Sequence, residues 1–385
     1  MIRIVLAPDS FKGSLDAPQV CAALATGLRR VLPDADIRSR PMADGGEGTL
    51  DAVLAAVGAT GRRQQRVVRG AGGAPVAAHY GLLDSGEGAT AVLEVAQVVG
   101  ITDAVGMAAR VGARTTFGVG ELMLHLLDQG VRRFMIGLGG SSTNDGGAGL
   151  LAALGVGFRD ASGREIADGP DGLAALASVD ASALDPRVAA CAITIMSDVN
   201  NPLSGERGAT AIFGPQKGVS PAQVRTFDDA IARYAQCTEA ALGRHALESS
   251  GAGAAGGLGF ALQLLGGNFN SGAQVVAGLI GLDAVFADAD WAITGEGRSD
   301  AQTLLRKAPF VVAERAAAHG VPVTLISGAI SADALPALGA HFAGCFGLPN
   351  GPSTLPDCIA NAGALLADRA EQIARVLIAG RTLRH

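Results

Sequence analysis

Lysine is nearly missing from this chain. Of its 30 basic residues only Lys12, Lys217 and Lys307 are lysine, and 27 are arginine. The three survivors all lie beside glycine, proline or polar residues, in Asp9-Ser-Phe-Lys-Gly13, Gly214-Pro-Gln-Lys-Gly218 and Arg306-Lys-Ala-Pro309. A compact ammonium set against a phosphate or carboxylate is poorly replaced by a guanidinium; chance placement in loops is the competing reading. Aromatics are scarce too, at 4% against 49% hydrophobic residues and 55 glycines. Ala, Val, Leu and Gly must then fill the interior, which suits closely packed α/β layers. There is no basic excess: the net charge of −6 argues against a general binder of nucleic acid or membrane surfaces. The five cysteines show no C-x-x-C spacing, which argues against a disulfide framework and a structural zinc site. Six scattered histidines, no two at i, i+4, offer no metal pair. Ser249 to Leu282 carries no charge, but Gly266 to Gly272 interrupts it and each half is too short to span a bilayer. The apolar run at the N-terminus is too short for a signal peptide. These absences predict a cytoplasmic protein with no membrane partner.

What is present is a strand–loop–helix rhythm. At 385 residues, two domains are the expectation. Ile2 to Leu6 reads as a buried strand. Ser14 or Asp16 caps a helix bearing Val20, Leu24, Leu28 and Val31. A second strand begins at Ile37, and a helix with Leu50, Val53, Leu54 and Val57 follows. This is a parallel βαβ pattern. Residues 62–99 instead read as an antiparallel meander, punctuated by Gly70-Ala-Gly-Gly73 and Asp84-Ser-Gly-Glu-Gly88. Further on, strands are predicted at Phe134–Ile136 and Ala192–Met196, and helices over 117–129 and 220–242, followed by two charge-free helices. From residue 285 the first rhythm returns: strands at Trp291–Thr294, Val321–Ile326 and Phe342–Phe346, and helices at Pro309–His319 and Leu355–Leu377. The two ends resemble each other and differ from the middle. The predicted fold is therefore α/β with two domains: a discontinuous doubly wound parallel sheet from 1–70 and 285–385, and an inserted mixed α/β domain from 71–284.

Five polar loops fall at predicted strand ends: Asp9–Lys12, Asp44–Glu47, Gly139–Asp145, Asp198–Asn201 and Glu296–Asp300. In open α/β sheets ligands bind outside the carboxyl ends of strands. A single strand-end Asp is as readily a helix N-cap. Five such loops, each with a carboxylate, suggest a shared crevice. In Gly137-Leu-Gly-Gly-Ser-Ser-Thr-Asn-Asp-Gly-Gly147 the glycines let the backbone approach a ligand, and a helix start leaves N–H groups for an anion; a tight turn with an Asp cap is the alternative. Carboxylates with few histidines suit oxygen-bound Mg²⁺. With glycine loops and lysine they make up the equipment of phosphoryl transfer. Gly251-Ala-Gly-Ala-Ala-Gly256 matches G-x-G-x-x-G, but no strand precedes it and the next acid, Asp283, is too distant for a ribose contact. No Walker A pattern occurs.

Taken in order, these loops resemble the bacterial glycerate kinase family, of the glycerate 2-kinase type. The resemblance rests on Ala7-Pro-Asp-Ser-Phe-Lys-Gly-Ser-Leu15, Pro41-Met-Ala-Asp-Gly-Gly-Glu-Gly-Thr49, the Gly137–Gly147 loop, Ser197-Asp-Val-Asn-Asn-Pro-Leu203, Phe213-Gly-Pro-Gln-Lys-Gly218, Gly251 to Gly259 and Thr294-Gly-Glu-Gly-Arg298. It implies ATP-dependent phosphorylation of D-glycerate, usually to 2-phosphoglycerate, with Mg²⁺. It also implies a flavodoxin-like discontinuous domain and a second α/β domain with the active site in the cleft between them. One departure stands out: the family usually has Gly-Lys-Ala-Pro where this chain has Arg306-Lys307-Ala308-Pro309. The segment Arg298-Ser299-Asp300 also departs from the family pattern.

With that resemblance, the expected catalytic residues are Asp198 first, then Lys12, Asp44 and Glu296, with Asp198, Asp44 and Glu296 as metal candidates. Asp9, Ser10, Lys12, Asn200, Arg298 and Asp300 are expected at the substrate. Gly139, Gly140, Ser141, Ser142, Asn144, Asp145 and Lys217 are expected at the nucleotide. Phosphorylation to 3-phosphoglycerate is the near alternative. A non-catalytic hydroxy-acid binder and an NAD-linked oxidoreductase are the alternatives of other classes. A homo-oligomer is compatible with the sequence but not specified by it.

Overall fold

The computed structural model describes residues 1–84, 86 and 88–382. Of the turn expected around Asp84–Gly88, Ser85 and Glu87 lie outside the described residues. The chain divides into two compact units. One comprises Met1–Asp44, Asp51–Gly58 and Ala273–His385; the other comprises Gly45–Leu50 and Ala59–Gly272.

The first unit is built on five parallel strands in the order Gly344–Gly347, Val323–Ser327, Trp291–Thr294, Arg3–Leu6, Asp36–Ser39. Numbered along this unit, the order is 2-1-3-4-5 from the Asp36 edge. This is the flavodoxin-like doubly wound order. Ile4, Val5, Leu6, Ala292 and Ile293 are fully buried, which is why these strands read as continuous apolar runs rather than alternating ones. The helix Ala17–Arg29 begins with a capping box: Asp16 Oδ1 accepts from Gln19 N at 2.7 Å, and Gln19 Oε1 accepts from Asp16 N at 3.0 Å. Ser14, the other cap candidate, instead donates to the Ile359 carbonyl at 3.1 Å. Gly27 lets this helix pack on Ala362–Thr382, since a Cβ there would stand 1.9 Å from the Ala367 carbonyl oxygen. The last helix is not continuous from Leu355. It breaks into Leu355–Ala360 and Ala362–Thr382, where the Asn361 side chain donates to the Asp357 carbonyl at 2.9 Å and so competes with the helical ladder.

The second unit holds a six-stranded mixed sheet. Gly61–Arg69, Pro75–Asp84 and Ala89–Glu94 pair antiparallel, as the meander predicts; Arg133–Gly137, Ala192–Met196 and Asn268–Asn270 continue in parallel. The first of these strands starts at Gly61, and the two compact units meet along the chain at Asp44/Gly45, Leu50/Asp51, Gly58/Ala59 and Gly272/Ala273. The core is filled by sheet residues such as Phe134, Ile136 and Ile195, with Tyr234 and Phe260 from the helices Pro221–Leu242 and Leu258–Leu264. The Tyr234 and Phe260 rings meet edge to face at 5.9 Å. No described helix of the chain is long and apolar enough to cross a membrane.

Candidate active site

In the first unit, strand order reverses between Arg3–Leu6 and Trp291–Thr294, and a crevice for ligands opens at the carboxyl ends of such a pair. Asp9 and Glu296 stand there, two or three residues past their strands. The Ser10 amide donates to Asp9 Oδ1 at 2.6 Å, and the Asp9 amide donates to the Gly295 carbonyl at 2.8 Å. Asp9 is buried, and burial together with the nearby charge of Asp44 pushes its carboxyl up to about 8; Lys12 pulls the other way. Lys12 Nζ lies 3.9 Å from Asp44 Oδ2, with the lysine side chain largely exposed. Glu296 is also buried, and burial raises its pKa even though Ser299 Oγ and Thr303 Oγ1 donate to its Oε1 at 2.9 and 2.6 Å. Carboxyls held uphill of their ordinary range at a strand-switch point are a mark of functional sites.

Two other expected residues in this unit, and the neighbouring Lys307, are placed differently from one another. Arg298 is exposed, with Nε 3.9 Å from Asp300 Oδ2. Asp300 is a helix cap, accepting from the Gln302 amide at 2.9 Å. Lys307 precedes the helix Ala308–Ala318, and its charge reaches Glu296. Arg306 beside it has φ of +63°, in the left-handed region. Glycine would take that conformation without the Cβ penalty that arginine meets.

In the second unit, the strand Arg133–Gly137 runs into the glycine loop and then the helix Ala148–Ala153. The loop follows a tight path. Gly140 is left-handed at φ +73°, and a Cβ on Gly139 would stand 2.6 Å from the Gly46 Cα. Gly139, Gly140 and Ser141 line a hollow of about 310 Å³, closed by the apolar Ile101, Leu138, Val199, Phe213 and Ala255 and by Gln216 and Lys217. Lys217 is buried beneath this loop. Its Nζ donates to Ser141 Oγ at 3.0 Å and to the Thr143 carbonyl at 2.7 Å. Burial pulls its pKa down to about 7, with Asp145 opposing and Arg114 reinforcing the shift. Gly251 to Gly256 is no dinucleotide turn. It packs on the loop from behind, Gly146 N donating to the Gly256 carbonyl at 2.9 Å, with Ala255 left-handed at φ +52° at the hollow's edge.

The remaining polar residues of the loop turn inward. The Ser142 hydroxyl and amide both donate to the Val99 carbonyl. Asn144 Nδ2 donates to Thr210 Oγ1 at 3.0 Å, and Asn144 is fully buried. Asp145, also fully buried, accepts from Thr116 N and Oγ1, both at 2.8 Å, from Gly147 N at 3.1 Å and from Gly149 N at 3.2 Å. Its carboxylate occupies the helix N-terminus that the sequence reading offered to a ligand anion. Ser142, Asn144 and Asp145 thus hold the loop rather than line its hollow. Arg114, which the sequence reading passed over, does similar work: its guanidinium donates to the carbonyls of Met107, Ala109, Ser142 and Lys217 at 2.8–3.2 Å. A lone arginine before Thr-Thr-Phe carries no local signal of that role. Asp198 and Asn200 are exposed in the loop after Ala192–Met196, on either side of Val199, which lines the hollow.

Among the described residues no three of His, Cys, Asp and Glu converge to hold a metal. Mg²⁺ is usually bound by one or two carboxylates and substrate phosphates, and oxygen donors of the kind Asp44 and Glu296 offer suit it.

The glycerate kinase family model matches residues 4–378. A glycerate kinase of Bacillus subtilis (strain 168) is 40% identical over 383 residues, covering 99% of both chains. A glycerate 2-kinase of Escherichia coli (strain K12) is 42% identical over 333 residues, covering 86% of each. A crystal structure assigned to a glycerate kinase 2 of Salmonella typhimurium LT2 superposes with a TM-score of 0.86 at 42% identity, covering 99% of each chain. The buried-lysine glycine loop, the carboxylates at the strand switch and a match along nearly the whole length converge on one statement: the chain belongs to the glycerate kinase family and is a kinase.

Proposed function

We propose that this kinase transfers the γ-phosphoryl group of ATP to D-glycerate, at the 2-hydroxyl, giving 2-phosphoglycerate. The observation that carries the reading is the hollow floored by Gly139, Gly140 and Ser141 with the Lys217 ammonium fixed below it. Its apolar walls suit a nucleobase, and its bare glycine backbone suits phosphates. At the other reactant, Lys12 with Ser10 holds the glycerate carboxylate, and Asp9 and Arg298 complete the polar surroundings. Asp198 orients the attacking hydroxyl and takes its proton, the step for which a carboxylate within hydrogen-bond reach is needed. Asp300 keeps the 301–304 turn in place beside Arg298. When bound, Mg²⁺ would neutralise phosphate charge, with Asp44 and Glu296 as the carboxylates that would hold it.

The reading is tested with purified protein, Mg-ATP and D-glycerate, following ADP release and identifying the product by NMR. Glycerate-dependent ADP release with a 2-phosphoglycerate product is expected. A 3-phosphoglycerate product would move the transfer to the other hydroxyl. Glycerate binding without ADP release would leave a hydroxy-acid binder in place of the kinase reaction proposed here.

A further inference from the structure

The carboxylate of Glu296 is held by one of its oxygens only. Ser299 Oγ donates to Oε1 at 2.9 Å, and Thr303 Oγ1 donates to the same atom at 2.6 Å. A carboxylate oxygen has two lone-pair sites, so Oε1 is fully used. Oε2 accepts from no described residue and still reaches solvent. Both donors are fully buried and themselves fixed. Ser299 Oγ lies 2.7 Å from the hydroxyl of Ser327, the last residue of the strand Val323–Ser327. Because the single Ser299 proton goes to Glu296, Ser327 is the donor in that pair. Thr303 Oγ1 accepts from the Asp300 amide at 3.0 Å, which leaves its own proton for Glu296. The backbone is pinned as well. Gly328 N donates to the Glu296 carbonyl and Ala329 N to the Gly297 carbonyl, both at 3.1 Å, and a Cβ on Gly328 would stand 2.4 Å from the Gly297 oxygen. The charges of Asp44 and Glu296 both reach Asp9, so the three carboxyls are near neighbours.

We propose that Ser299 and Thr303 are positioning residues that make Glu296 a one-oxygen ligand and so tune its site to Mg²⁺ against Ca²⁺. The inference rests on the reading of Glu296 as a cation ligand given above. Mg²⁺ demands a near-ideal octahedron and keeps several waters, whereas Ca²⁺ takes more oxygens and often both of one carboxylate. With Oε1 committed to two hydroxyls, Glu296 has Oε2 alone to give. One oxygen suffices for Mg²⁺, and the second is withheld from Ca²⁺. Ser327 keeps the Ser299 hydroxyl turned towards Glu296, so the arrangement reaches back into the sheet.

Mn²⁺ titrated onto the whole protein and followed by paramagnetic resonance, with Mg²⁺ or Ca²⁺ as competitor, tests the proposal without turnover. The wild type is expected to release Mn²⁺ to Mg²⁺ at a lower concentration than to Ca²⁺. Thr303→Val and Ser299→Ala each free a lone pair of Oε1, and each is expected to shift that preference severalfold towards Ca²⁺. Thr303→Ser keeps the hydroxyl and is expected to keep the wild-type ratio. Loss of packing alone weakens both competitors together and leaves their ratio where it was. A ratio unchanged in Thr303→Val and Ser299→Ala, with Mn²⁺ binding lost in Glu296→Gln, overturns the inference and leaves Glu296 a ligand. No Mn²⁺ binding to the wild type, or binding unchanged in Glu296→Gln, removes Glu296 from the cation site, and the inference falls with that part of the reading.

Discussion

Lys217 donates its buried ammonium to the Thr143 carbonyl at 2.7 Å, under the glycine loop that it helps to hold. Burial has moved its pKa from the ordinary 10.5 to about 7. Between those values the unfolded chain holds a proton that the folded chain has released, so this group makes stability rise with pH from about 7 to 10.5. Below pH 7 both states are protonated and the buried charge opposes folding in full. Urea midpoints of wild type and Lys217→Met, taken from pH 6 to 10, are expected to diverge in favour of the wild type as pH rises. Parallel profiles would mean that the ammonium is not the titrating group.

Asp198 is exposed, so Asp198→Asn should leave folding untouched. Steady-state kinetics are expected to show kcat lowered by roughly a hundredfold or more, with little change in the KM for glycerate. A folded variant at full rate removes Asp198 from proton transfer.

Lys12 sits 3.9 Å from Asp44 with most of its side chain in solvent. If a compact point charge is what the carboxylate of glycerate requires, Lys12→Arg will be nearly as damaging to kcat/KM as Lys12→Ala. Near-wild-type activity for the arginine variant would show that charge alone suffices.

Arg306 is one of two non-glycine residues in the left-handed region among those described. That conformation costs roughly 1–2 kcal/mol for a side chain, against about 0.5–1 kcal/mol of extra chain entropy when glycine replaces it. Arg306→Gly is expected to raise stability by about 0.5–1 kcal/mol in urea unfolding. A loss of stability would show that the Arg306 side chain has contacts worth more than its backbone strain.

Asp145 accepts four hydrogen bonds with no exposure. An amide in its place presents a donor to donors, so Asp145→Asn is expected to destabilise the fold by about 2–3 kcal/mol. Chemical denaturation measures this directly. Unchanged stability would return Asp145 to the ligand-binding set.

How much of this was legible depended on whether a residue's role is local. Ala192–Met196 and Trp291–Thr294 were readable to the residue because continuous apolar runs end in turn formers. The meander and the returning βα rhythm were readable for the same reason. The direction a loop side chain faces is not local. Ser142, Asn144 and Asp145 have the composition of ligand donors, yet their partners are Val99, Thr210 and Thr116, 29 to 66 residues away. Arg114 reaches Lys217 across 103 positions, a separation that leaves no periodic trace. The rarity of lysine did mark Lys217, although a buried anchor rather than an exposed contact was what it marked.

The first unit's sheet joins strands from the two ends of the chain: Thr294 Oγ1 donates to the Ala7 carbonyl across 287 positions, and Trp291 pairs with Ile4. During synthesis, Arg3–Leu6 and Asp36–Ser39, which pair with each other, leave the ribosome long before the sheet's other strands, Trp291–Thr294, Val323–Ser327 and Gly344–Gly347, exist. The strands of the second unit, from Gly61 to Asn270, are complete by then. Translation therefore imposes an order in which the middle of the protein can fold while its beginning waits. The waiting strands are short, four residues each, and Asp36–Ser39 is only partly apolar. Those traits limit how readily an unpaired edge recruits a neighbouring nascent chain.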